Sequence, residues 1–367
     1  MTKKALIISG IFWHDTWQRH QNIATALIEQ GYNIDFVAGV KSSGLTLYKC
    51  INVLKSKLAS SQHVNAHSTL NNKPKQLNEI SAFNLPYEGE LTSRAVRKIT
   101  PKLNNDYDII ICYIPAPLSL KIIAAVNYKT LIYDCVRNFA QWPGIAPAVL
   151  SSEQKLITIA NQIWVDSFYL FNQLNTKHNK VAQILPTINK ELQVKKQSKA
   201  KIQKLAFFGS VSSHFDTAVL NTCKKLGIEL YIWGKDELQL SQQYSFVHYQ
   251  GYESNESRLL NSIITNTDGI IIPYKGCMDG VIPAKIMQSL STYLPVFISS
   301  FYDSQQLTDY LYCYRNQQDL ELQLASFNFV EHNKKSAAIK VFVASNTQEA
   351  LKNKLHTLIN NEHELGS

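Results

Sequence analysis

No two cysteines stand as Cys-x-x-Cys. The six present, Cys50, Cys112, Cys135, Cys223, Cys277 and Cys313, are scattered, and three fall in or beside apolar runs that read as buried strands. Free thiols in a reducing cytoplasm are therefore expected, and a disulfide framework or a zinc site is not. Long apolar runs are missing as well. Nothing approaches the roughly 20 residues of a membrane span, so any lipid contact is expected to be peripheral. Met1-Thr2-Lys3-Lys4 leads straight into a short apolar segment, Ala5 to Ser9, without the longer core of an export signal. Gly-x-Gly-x-x-Gly is absent after the strands that open the two halves, which continue as Ser9-Gly10-Ile11-Phe12-Trp13 and Gly209-Ser210-Val211-Ser212-Ser213. A nicotinamide enzyme is disfavoured on that ground.

What is there belongs to an ordinary globular chain, with 45% hydrophobic and 18% charged residues. Its 367 residues exceed twice a typical domain. Lys and Arg total 37 against 28 Asp and Glu, a net charge of +9 that suits an anionic partner. The basic residues are dispersed, and no motif organises them for nucleic acid. Short apolar runs alternate with amphipathic segments, which predicts an α/β class with parallel sheets built from right-handed crossovers. Strands are expected at residues 5–9, 34–38, 109–114, 130–135, 162–166 and 181–185, with a first helix over 18–30 closed by Gly31. From 41 to 105 the periodicity weakens: a Lys-rich amphipathic segment, 45–58, precedes a polar stretch, 60–79, read as a loop excursion. A Lys- and Gln-rich linker at 189–203 divides residues 1–188 from 204–345, and a last helix closes the chain in 346–367. The second half has strands at 204–209, 228–234, 247–249, 269–273 and 295–299.

Two segments of the second half suit an anion. Gly209 and Ser210 follow a strand, where a glycine lets backbone approach a phosphate and a hydroxyl donates to it, although a plain turn has the same composition. More informative is the run from Ile270 to Leu290, in which a buried strand leads through a Gly-bearing loop to Pro283, a helix-start residue. Lys285 then falls in the first helical turn, where a cation is disfavoured unless an anion sits there. A diphosphate would resolve the conflict, with Gln288 one turn later on the same face. The competing reading is a solvated lysine.

The order strand, Pro273-Tyr274 loop, Pro283-x-Lys285 helix start and Pro295-Val296-Phe297 resembles the nucleotide-sugar-binding domain of GT-B glycosyltransferases. In the first half, Trp17-Gln18-Arg19, Gly31-Tyr32, Tyr107-Asp108, Pro115-x-Pro117 and Tyr133-Asp134-Cys135 resemble bacterial exopolysaccharide and teichuronic-acid-type members. The resemblance implies two Rossmann-like parallel-sheet domains facing a central cleft. Residues 1–188 would bind the acceptor and 204–345 the nucleotide sugar, with no resident cofactor or metal. It also implies that Trp233, Tyr252, Glu253 and Tyr274 line the nucleotide pocket. Many retaining members carry two glutamates eight apart, where this chain has Gly280 and Gln288. Lys285 followed by Gln288 is instead similar to the xanthan-type inverting glucuronosyltransferases.

Inversion needs a general base near the acceptor hydroxyl. Asp134, at the end of the 130–135 strand, and Asp15, in a loop with His14 and two indoles, are equal candidates, with His14 behind them. The bland alternatives are caps and core anchors. A lipid-linked or polysaccharide acceptor at the cytoplasmic membrane face is expected, with Lys49, Lys55, Lys57, Arg94, Arg97 and Lys98 toward anionic lipid. A catalytically inert nucleotide-sugar-binding or scaffold protein of the same fold is the alternative.

Overall fold

The computed structural model describes residues 2–43, 73–142, 144–188 and 201–364. The chain forms two compact units, Met1–Ile184 with Leu351–Ser367, and Leu185–Ala350.

Unit 1 is built on seven parallel strands: β1 (Lys3–Ile8), β2 (Tyr32–Ala38), β3 (Leu77–Ser81), β4 (Asp106–Cys112), β5 (Asn127–Cys135), β6 (Gln162–Val165) and β7 (Val181–Gln183). They lie in the order β3-β2-β1-β4-β5-β6-β7. Their apolar runs are unbroken because helices cover both faces. The two-residue period of a strand sorts the side chains. Ala5, Ile7, Ile109 and Ile111 enter one core with Ile23, Ala26 and Leu27 of helix Arg19–Glu29, joined by Leu351, Leu355 and Ile359 of helix Gln348–Glu364. Leu6, Ile8, Ile110 and Cys112 enter the other, against Ala95, Leu118, Ile122, Leu156 and Leu170.

Unit 2 has six parallel strands: β8 (Lys204–Phe208), β9 (Glu229–Trp233), β10 (Val247–Tyr249), β11 (Gly269–Ile272), β12 (Val296–Ser299) and β13 (Tyr312–Tyr314). Their order is β10-β9-β8-β11-β12-β13. Leu205, Phe207, Leu230, Ile232 and Ile271 pack with Leu220, Cys223, Leu320 and Leu324 on one face.

All strands but β3 and β13 coincide with expected ones. Both exceptions are edge strands; β3 overlaps only the end of the 60–79 stretch read as a loop excursion, and residues 60–72 of that stretch lie outside the described residues. β3 holds two buried apolar residues, Leu77 and Ile80, paired in parallel with Ile34 and Val37 of β2. Lys49, Lys55, Lys57, Cys50, the 45–58 segment and residues 189–200 of the linker lie outside the described residues. Arg94 and Arg97 are exposed on helix Glu90–Ile99, and both pair with Glu90. No described helix is long and apolar enough to cross a membrane.

Candidate functional site

Parallel strands deliver their loops to one edge of a sheet, the carboxyl end, and α/β proteins bind ligands there. In unit 2 those loops are tied together by backbone. Gly209 N donates to the Trp233 carbonyl at 2.7 Å, Gly234 N to that of Gly251 at 2.8 Å, and Asp216 N to that of Pro273 at 2.7 Å. Two glycines permit the approach, with φ of 112° at Gly209 and 130° at Gly234. A Cβ on Gly234 would stand 2.3 Å from the Gly209 carbonyl oxygen, and one on Gly209 would stand 2.7 Å from Lys285 Nζ. No other residue fits either place.

Lys285 is the second residue of helix Ala284–Leu290 and points its ammonium into this seam. Nζ lies 4.3 Å from the ring centroid of Phe207, 5.3 Å from that of Tyr274 and 5.8 Å from that of Phe208. It makes no ion pair or hydrogen bond with the described residues. Three aromatic faces compensate a desolvated cation only in part. Burial accordingly lowers its pKa to about 8. The sequence reading placed the anion at the helix start, but this helix has only seven residues. It is the uncompensated ammonium that the geometry singles out.

Ser210 is exposed, and its hydroxyl bonds to no described residue. Tyr274 is largely buried, donates its N–H to Ser299 Oγ at 2.9 Å, and has its hydroxyl pushed up by burial. The Trp233 indole is buried beside Tyr231, so what it gives the loop is its carbonyl. Tyr252 is exposed and follows Gly251, the partner of Gly234. Glu253 accepts from Asn255 N at 2.7 Å and lies 3.8 Å from Arg258, bracing the start of helix Glu256–Asn266. Gln288 is half-buried, and its amide bonds to no described residue. Gly209 thus adjoins both Trp233 and Lys285, and Lys285 faces Tyr274, while Gln288 is linked only by its helix.

In unit 1 the structure separates the two carboxylates. Asp134, next to last in β5, has no exposure at all. Arg19 Nε reaches both its oxygens, at 3.1 and 2.9 Å, and Arg19 Nη2 adds a third bond at 2.9 Å. Arg19 Nη1 donates to the Ile184 carbonyl at 2.6 Å. Burial opposes the Arg19 charge and Asp134 more than offsets it, so the guanidinium stays protonated. Both oxygens of Asp134 are thus engaged in a buried ion pair with Arg19. Asp15 is exposed and closes its own turn, Oδ2 accepting from Phe12 N at 2.8 Å, with exposed His14 beside it. Trp13 is a core anchor, edge-on to Trp17 at 5.5 Å and to Phe36 at 6.0 Å.

Three neighbours of the Arg19–Asp134 pair escaped the sequence reading. His20 Nδ1 lies 2.9 Å from Ser9 Oγ, and its ring stacks on Tyr113 at 3.7 Å. Burial, then the charges of Arg19 and Arg137, hold His20 down to about 3, so it is neutral. The available signal was polar residues at the inward start of the first helix, where His20, Gln21 and Asn22 are all buried.

No family model matches the sequence, and no curated protein does. Solved structures match in fold. The lipopolysaccharide outer core galactosyltransferase WaaB is 12% identical over 98% of this chain and 100% of its own, with a TM-score of 0.66. TarM is 10% identical over 98% and 99%, with a TM-score of 0.64. Anabaena HepE, solved in complex with UDP, is 12% identical over 99% of each chain, with a TM-score of 0.59. Identities this low show the fold alone. The expected GT-B fold is the one observed, two parallel-sheet α/β domains of seven and six strands.

Proposed function

We propose that this chain is a glycosyltransferase that moves a sugar from a nucleotide-diphosphate sugar, a UDP-sugar, to a hydroxyl of a lipid-linked or polysaccharide acceptor in cell-surface glycan synthesis. The observation that carries the reading is Lys285, a desolvated ammonium without a counter-charge among the described residues, at the carboxyl edge of a parallel sheet. A diphosphate supplies that counter-charge. As the bond from the anomeric carbon to the phosphate oxygen breaks, its electron pair passes to the diphosphate, and Lys285 stabilises the growing charge. The galactosyltransferase activity of WaaB and the UDP of HepE support the choice of donor.

Gln288 stands where a retaining relative would carry an acid, so we read the transfer as a single inverting displacement. The acceptor oxygen attacks the anomeric carbon and its proton passes to a base. Asp15 takes that role, because Asp134 is occupied by Arg19.

A thermal-shift panel of nucleotides and nucleotide sugars tests the donor, since a ligand of the folded state raises the melting temperature. UDP or a UDP-sugar should give the largest shift. Its affinity should fall as pH rises past about 8, by about tenfold per unit once Lys285 has lost its proton. Indifference to every diphosphate, or an affinity flat between pH 7 and 10, rules the site out. For the base, Asp15→Asn should lower transfer by about 10²–10⁴-fold with UDP affinity intact; full transfer by that variant removes Asp15 from the mechanism.

A further inference from the structure

Unit 1 holds a cavity that none of the residues above explains. It has a volume of about 190 Å³ and lies between the loop after β5 and helices Pro147–Ile159 and Phe168–Leu174. Glu153 is on its wall and only 9% exposed. The Tyr133 hydroxyl donates to Glu153 Oε1 at 2.6 Å, and the Cys135 thiol lies 4.0 Å from the same oxygen. Oε2 receives no hydrogen bond from the described residues.

That is unlike the other buried acids of this unit. Asp134 has both oxygens taken by Arg19, and Asp35 accepts from Asn78, Asn104 and Tyr107. A buried carboxyl is costly unless its oxygens are engaged. Glu153 forms no ion pair with the described residues, and burial pushes its carboxyl up, partly offset by Tyr133 and by the charge of Lys177. Its second oxygen has no partner among the described residues, and the residue lines a space that a donor from outside the chain can enter.

The lining decides what kind of donor. Arg137 and Lys177 share the wall with Glu153, so the wall as a whole opposes an ammonium ligand, while Glu153 opposes an anion. Amides of Asn138, Gln154 and Gln173 add donors and acceptors in alternation. The volume is below the roughly 300 Å³ at which sites for drug-sized ligands begin. We propose that this cavity binds a small neutral polyol of monosaccharide size, with one hydroxyl donating to Glu153 Oε2. The assignment rests on no part of the donor reading.

Saturation-transfer-difference NMR on the full chain tests it, with methyl α-glucopyranoside as the neutral probe and glucosamine and glucuronate as charged comparators. The neutral probe should give the strongest signal. It should fall at least fivefold in Glu153→Gln and also in Ala140→Trp, a bulky change at an exposed lining position that leaves the core untouched. The UDP response of Ala140→Trp should match wild type. No signal from the neutral probe, a stronger one from either charged sugar, or equal signals in both variants overturns the assignment.

Discussion

Lys285→Met should give a protein that melts higher at neutral pH and binds UDP more weakly by about ten- to a hundredfold. Both effects follow from one desolvated charge. The Lys285 ammonium has a folded pKa of about 8, below its ordinary 10.5. Between those values the unfolded chain binds more protons than the folded one, so stability rises with pH across that window. At pH 7 the full penalty is present, and methionine, of similar length and uncharged, removes it. A gain of roughly 1–3 kcal/mol is expected, shrinking as pH approaches 10. Binding moves the other way, because a charge-assisted contact to phosphate is worth roughly 1.5–3 kcal/mol. Melting curves at pH 7 and 10 and titration calorimetry with UDP measure the two. A variant less stable than wild type at pH 7, or one that keeps its UDP affinity, means Lys285 is held by something other than a missing anion.

Arg19→Met should cost roughly 3–5 kcal/mol, because it strands the Asp134 carboxylate in the interior. On a unit of this size that lowers the melting temperature by roughly 2–4 °C per kcal/mol. Asp134→Leu should be comparably harmful, since it leaves the guanidinium without its main partner. The double variant should lose much less than the sum, the signature of directly coupled groups. Urea unfolding of the four proteins supplies the cycle. Single losses below about 1 kcal/mol, or strict additivity, would mean that the two charges are solvated rather than paired.

Most of the scaffold was legible because both sheets are covered on both faces. Runs such as Ile109-Ile110-Ile111-Cys112 announce a central strand by composition alone. Edge strands are weaker signals, and β3 carries only Leu77 and Ile80, three apart and in opposite cores, among polar residues. Lys285 was legible as a local conflict between a cation and a helix start. Its cage was not, since Phe207 is contributed by a strand far back in the sequence. The ion pair of Asp134 is not legible in the sequence for the same reason. A carboxylate at a strand end looks available until its partner is known, and Arg19 lies 115 positions away. Glu153 carried no pattern at all, because its meaning comes from Tyr133 and from the empty volume next to it.

The helix Gln348–Glu364 gives the chain an unusual relation between synthesis and folding. Leu351, Leu355 and Ile359 fill the core of unit 1, the Gln30 amide donates to the Lys352 carbonyl at 2.9 Å, and that of Gln162 to the Leu358 carbonyl at 2.9 Å. Burying three aliphatic side chains is worth roughly 1.5–3 kcal/mol each, a sum on the scale of a whole domain's stability. Unit 1 is drawn from two stretches with unit 2 between them, so it stays open along one side until the residues of unit 2 have been translated.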